Sequence, residues 1–228
     1  MREKYGRILR WAVPFVLMPA IVLGGGILAG ERMYAWSILA MVLLSQVLFF
    51  LGFEKRTVGS RRLVVAAGMT ALSVLGRFIF ALLPGFKPIT AIVIITAVWI
   101  GGETGFLVGA LSALVSNLFA SQGPWTPFQM FAWGMIGLIA GMLAEPLKRS
   151  RFLLALYGAL AGVAYSMLMD VWTVLWYNNG LNWEMYRAAL VTAVPYTLSY
   201  MASNVVFLLL LGKPFGRKLE RVKVKYGI

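Results

Sequence analysis

Apolar residues in this chain come in long blocks broken by short polar turns, not in the alternating pattern of a half-buried strand. A membrane-crossing helix needs ~20 predominantly apolar residues, fewer where neighbouring helices shelter it. Eight blocks meet this requirement: residues 11–29, 34–53, 63–83, 88–101, 104–120, 127–144, 152–177 and 187–211. The breaks between them are Gly30-Glu31-Arg32, the charged stretch 54–62, Pro84-Gly85 and Gly101-Gly102-Glu103. The expected fold is an all-α integral membrane protein. Arg2, Lys4, Arg7 and Arg10 ahead of the first block resemble the start of a signal peptide. That block is too long for a signal's apolar core and more spans follow, so it is read as a retained helix.

Composition agrees with the pattern. Apolar residues make up 61% of the chain and charged ones 13%, against about 25% charged in a soluble domain. The net charge of +13 invites a nucleic-acid reading, but the positions of the charges point to membrane orientation. An even number of spans puts both termini on one face, together with the loops at 54–62, 102–103 and 145–151. That face collects 17 of the 21 Lys and Arg residues, whereas the other has Arg32, Lys87 and Arg187. The positive-inside bias makes both termini cytoplasmic in a multi-pass plasma or inner membrane protein. No nucleic-acid partner is expected; the basic loops face anionic lipid heads instead.

Absent residues narrow the chemistry further. With no cysteine there are no disulfides or thiolates, and with no histidine there are no imidazole metal sites or Ser-His triads. GxxxxGK[ST], GxSxG and HExxH are also missing, so the chain has no nucleotide cradle and no evident nucleophile. It is read as a protein that is not an enzyme and has no catalytic cofactor or metal.

Polar side chains at membrane depth are costly and usually face a protein interior or a wet cavity. The first two spans carry almost none, apart from Gln46. The chain therefore divides into a two-helix extension and basic loop (1–62), a six-helix substrate-binding unit (63–212) and a basic cytoplasmic tail (213–228). Arg77 and Asp170 both lie in outer halves of spans, and they either pair, directly or through a ligand, or Arg77 reaches the interface by snorkelling. The densest cluster is at the outer end. It comprises Gln122 and Trp125 in a loop, Gln129 and Trp133 one helical turn apart, then Trp172, Asn178, Tyr196, Tyr200 and Asn204. Aromatic walls with a few amides suit a flat, heteroatom-rich molecule. Trp176, Tyr177 and Trp183 read better as an interfacial aromatic belt.

Small residues form rows. Ala67 and Ala71 frame a small-xxx-small pattern, Gly101, Gly105, Gly109 and Ala113 recur every four residues, and Gly134, Gly137 and Gly141 follow along the next span. Such rows pack helices within one protein or present a face to another membrane subunit.

These residues carry a resemblance. GRFIF at 76–80, FKPITAIVI at 86–94, the stretch 103–117 and above all GPWTPFQM at 123–130 are similar to the substrate-specific S components of energy-coupling factor (ECF) transporters, over roughly residues 63–212. The two N-terminal spans are additional to the six-helix plan of that family. The resemblance implies a vitamin-binding subunit that captures a micronutrient at the outer face. It also implies partners, namely a transmembrane coupling subunit and two ATPases, with Ala67 and Ala71 matching the family's docking pattern. Arg77 and Lys87 join the residues expected around the ligand. The reading leans to cobalamin or a precursor, with riboflavin-, queuosine- and folate-like rings also fitting. The alternatives are an accessory subunit of another membrane complex or a membrane-embedded lipid-modifying enzyme.

Overall fold

The structure, a computed structural model, describes residues 60–178 and 180–227, together with Leu43. The expected spans at 11–29 and 34–53 lie outside the described residues. The rest is helical throughout: α1 (Ser60–Ile79), α2 (Ile89–Trp99), α3 (Gly102–Ala120), α4 (Thr126–Met142), the short α5 (Ala144–Arg149), α6 (Arg151–Asn178) and α7 (Trp183–Tyr226). Helices thus occur where the last six apolar blocks predict them. By length and composition α1, α3, α6 and α7 can cross a membrane, and α2 is a shorter apolar helix.

The bundle is organised around α2. Every residue from Ile89 to Trp99 is buried, as expected of a helix that is apolar on all sides. Eleven residues rise only ~16 Å, well short of a ~30 Å hydrocarbon layer. Both ends of α2 therefore lie within protein, and their backbone groups need protein partners. At one end Arg62 supplies them, with Nη2 donating to the Ile100 carbonyl (3.4 Å) and Nε to Thr104 Oγ1 (2.7 Å). At the other end the α1–α2 connection is fastened to α7. Ser199 Oγ donates to the Pro84 carbonyl (2.7 Å) and Ser203 Oγ to the Lys87 carbonyl (2.8 Å). Gly85 turns this connection at φ 71°, a left-handed conformation that favours glycine.

Two of the glycine rows face each other. A Cβ on Gly141 would fall 2.2 Å from Gly102 Cα, one on Gly137 2.6 Å from the Gly105 carbonyl carbon, and one on Gly109 2.6 Å from the Trp133 backbone. Backbones of α3 and α4 are therefore in direct contact over two to three turns, the close approach that small residues permit in lipid. These rows pack the protein internally. The α6–α7 pair is antiparallel and closes similarly, with Gly162 against Tyr200 and Met201, and Ser166 bonded to Thr197 at 2.7 Å.

Two boundaries differ from expectation. The basic loop after α4 contains a helical turn and a half, α5. The segment from Lys213 is no separate tail: α7 continues unbroken for 44 residues, through Pro195 and Pro214. Proline removes one N–H and crowds the preceding turn, yet Gly212, Gly216 and Leu219 on either side of Pro214 are buried against the bundle. Packing holds the helix together where local propensity alone would end it.

Gly137→Ala and Gly141→Ala should each lower stability by about 1–3 kcal/mol, because overpacking at a backbone contact forces the helices apart. Gly68→Ala is the control: its Cβ would meet nothing within 4 Å, so stability should hold or rise by ~0.5–1 kcal/mol. Thermal unfolding of the detergent-solubilised variants measures both.

Candidate functional site

Arg77 lies near the end of α1, on the side facing α3. Its Nη1 donates to Ser116 Oγ and, at 2.7 Å, to Asn117 Oδ1. Asn117, wholly buried on α3, is the junction of the network. Its amide nitrogen donates to Gln129 Oε1 (2.8 Å) and Thr126 Oγ1 (2.9 Å), both on α4. The Thr126 hydroxyl donates to Gln122 Oε1 (2.8 Å), whose amide nitrogen in turn donates to the Leu114 carbonyl (3.1 Å). One asparagine therefore joins three helices and uses both ends of its amide, which matches its full donor complement.

Beside this chain of bonds is a layer of rings. Trp133 and Tyr165 stack with centroids 4.9 Å apart and planes 6° from parallel, and Tyr200 meets Tyr165 edge-on at 5.2 Å. The Arg77 guanidinium lies 5.9 Å from the Trp133 ring centre, within the range of cation–π attraction. Among the described residues Trp133 Nε1 is buried with no hydrogen-bond partner, as is Asp170 Oδ2. A buried polar atom without a partner costs ~1–3 kcal/mol. Lys87 borders the layer from the α1–α2 connection. Burial lowers its pKa from the ordinary lysine value, and the nearby Arg77 charge lowers it further.

Arg77 and Asp170 do not pair. The guanidinium is taken up by Ser116 and Asn117, which also rules out simple snorkelling to the interface. Of the residues expected at the site, Arg77, Gln129, Trp133 and Tyr200 come together, with Gln122 joined through Thr126 and Lys87 at the margin. Asp170 is within electrostatic reach of Tyr200, and the other five lie elsewhere. Asn204 donates to the Gly158 carbonyl at 2.9 Å and stitches α7 to α6, so it does not meet Gln129. Trp172 packs in a separate cluster, its ring tilted against Phe128 and Trp176 with centroids 4.9 Å from each. Asn178 bonds the Gly180 carbonyl at 3.3 Å, Trp125 is half-buried under Gly123, and Tyr196 is exposed. Tyr177 and Trp183 are exposed as well, at 73% and 65%, as an interfacial belt requires.

Sequence reasoning missed Asn117, Ser116, Thr126 and Tyr165. The signal that marked Gln129, an amide in an apolar span, applies equally to Asn117. Ser112 and Ser116 one turn apart on the same helix reinforce it. Tyr165 has no such mark, because a tyrosine in a long apolar helix reads as ordinary core.

This is a helical membrane bundle whose interior holds a cation, two amides and a stacked ring pair, the build of a small-molecule binding component. The chain belongs to the family described as ECF-type riboflavin transporter, S component, whose sequence model matches residues 58–220. It is accordingly a membrane substrate-binding component of an ECF importer. Among curated proteins and solved structures nothing matches. The family description names riboflavin, so the lean towards cobalamin has no support in it.

Asn117→Leu removes the junction and leaves Arg77, Gln129 and Thr126 short of partners inside the bundle. It should destabilise the ligand-free protein by about 1–3 kcal/mol or more. Tyr196→Phe, at an exposed position, should stay within about 0.5 kcal/mol of the parent. Thermal midpoints in one detergent compare the two.

Proposed function

We propose that this chain captures riboflavin, or a flavin close to it, and hands it to an ECF module made of a membrane coupling subunit and two ATPases. One observation carries the reading. The stacked Trp133–Tyr165 pair is bordered by Arg77 and Gln129, and the indole N–H within it has no partner among the described residues. A flavin ring is flat, uncharged and edged with alternating carbonyl oxygens and ring nitrogens. Guanidinium and indole N–H groups donate to such an edge, and an amide both donates and accepts. Ring faces stack favourably at centroid separations of 4.5–7 Å.

The bonds that Arg77 and Gln129 make in the free protein limit the affinity to be gained from them. Exchanging one hydrogen bond for another contributes only ~0.5–1.5 kcal/mol net. The larger gain comes from atoms that start without partners, Trp133 Nε1 and Asp170 Oδ2, since binding relieves an existing penalty. Asp170 lies within electrostatic reach of Tyr200 and Tyr186, where its carboxylate suits the hydroxyls of a polyol side chain.

Docking to the coupling subunit would use the outward face of α1. Ala67 and Ala71 are exposed there, and Val64 and Leu75 beside them are 71% and 57% exposed. Small residues flanked by apolar ones allow close helix approach. With the basic end of the bundle cytoplasmic, as the positive-inside bias favours, the ring layer lies towards the medium.

Riboflavin fluorescence titrated with the purified chain should be quenched to saturation, with cobalamin leaving native mass spectra free of adducts. Absence of riboflavin quenching, with a cobalamin adduct present, would replace this reading. Trp133→Ala should weaken binding by at least about tenfold, the ratio that ~1.4 kcal/mol corresponds to. Ala71→Trp should abolish uptake in cells while riboflavin binding by the isolated variant stays intact. Loss of both would make that face structural.

A further inference from the structure

We propose that the last four turns of α7 form a binding strip for the headgroups of anionic phospholipids. The 44 residues of α7 extend ~66 Å at 1.5 Å per residue, while a bilayer with its headgroup regions is only about 40–45 Å thick. The helix therefore reaches past the hydrocarbon, and its basic residues gather at one end. Lys213, Arg217, Arg221 and Lys225 recur every four residues and Lys218 lies three before Arg221, which keeps all five on one side of the helix. All are exposed except Lys213, which is half-buried.

Packing fixes which way this side points. Gly212, Gly216 and Leu219 on the opposite side are buried, and a Cβ on Gly216 would fall 2.2 Å from the Trp99 ring. The helix can neither roll nor lift without breaking that contact. Its end is tied down as well, because Arg61 Nη1 donates to the Tyr226 carbonyl at 2.9 Å. Among the described residues of this stretch the acidic one is Glu220, so the excess charge is not neutralised locally. Val224 and Tyr226, 78% and 41% exposed, add apolar surface next to the cations. Such a combination suits the headgroup boundary, where apolar side chains enter the acyl region and cations meet phosphates. Direct continuity with a membrane-crossing helix puts the strip at headgroup level, which favours lipid over an acidic protein surface.

The full chain, exchanged into micelles with equal amounts of phosphatidylglycerol and phosphatidylcholine, can be examined by native mass spectrometry. Phosphatidylglycerol adducts should exceed phosphatidylcholine adducts by about fivefold, the ratio that roughly 1 kcal/mol corresponds to. Arg217→Gln/Lys218→Gln/Arg221→Gln should bring that ratio close to one, with its thermal midpoint in phosphatidylcholine alone unchanged. A wild-type ratio near one overturns the proposal, and so does a preference that survives in the triple variant. Strip-dependent binding of a polyglutamate peptide without any phosphatidylglycerol preference would assign the strip to a protein partner instead. Riboflavin binding plays no part in these readings, so they stand or fall separately from the vitamin assignment.

Discussion

A guanidinium enclosed in a lipid-solvated bundle, with no carboxylate bonded to it among the described residues, is the constraint around which the site is arranged. Stripping water from a cation costs far more than a single neutral hydrogen bond returns. Arg77 is retained because Ser116 and Asn117 accept from it and the Trp133 face lies within reach. Asn117 in turn needs Gln129 and Thr126 to fill its own donors. The demand for partners thus propagates from α1 through α3 to α4. It accounts for the concentration of polar side chains at one level of an otherwise apolar bundle.

This arrangement is only possible because α3 and α4 touch backbone to backbone. With Gly102, Gly105 and Gly109 set against Gly141, Gly137 and Trp133, Asn117 and Gln129 face each other across a shared seam. The same closeness leaves little freedom between these helices. Trp133, the ring that α4 contributes, is held firm on that side, whereas the α1–α2 connection meets α7 through single side chains such as Ser199 and Ser203. A site with one stiff wall and one pinned by a few replaceable hydrogen bonds suits a component that must take up a ligand and later release it.

Asymmetry extends to the outer surfaces. One face of α1 presents small and apolar residues with nothing packed on it among the described residues, and the far end of α7 presents cations. Lipid tails solvate the first as well as a partner helix does, so its preference for a protein rests on shape complementarity. The second depends on charge, which lipid tails cannot satisfy. The two surfaces answer to different physical forces, and salt affects only the second appreciably.

From the sequence alone, block hydropathy was enough to locate every described membrane helix, because ~20 apolar residues in a row have few other fates. It also marked Gln129 as an interior residue, since lipid does not tolerate an unpaired amide, and left Arg77 between the interior and the interface. The continuation of α7 beyond Lys213 was not legible there, because it depends on Gly216 seating on Trp99 across the bundle. Asn204 illustrates the same limit. Its burial followed from its chemistry, but a choice between Gln129 and the Gly158 carbonyl is made by helix register. Hydropathy and residue chemistry act through local energies that a string of letters carries. Which polar atoms meet depends on interhelical contacts between residues far apart in the chain, and only tertiary packing decides those.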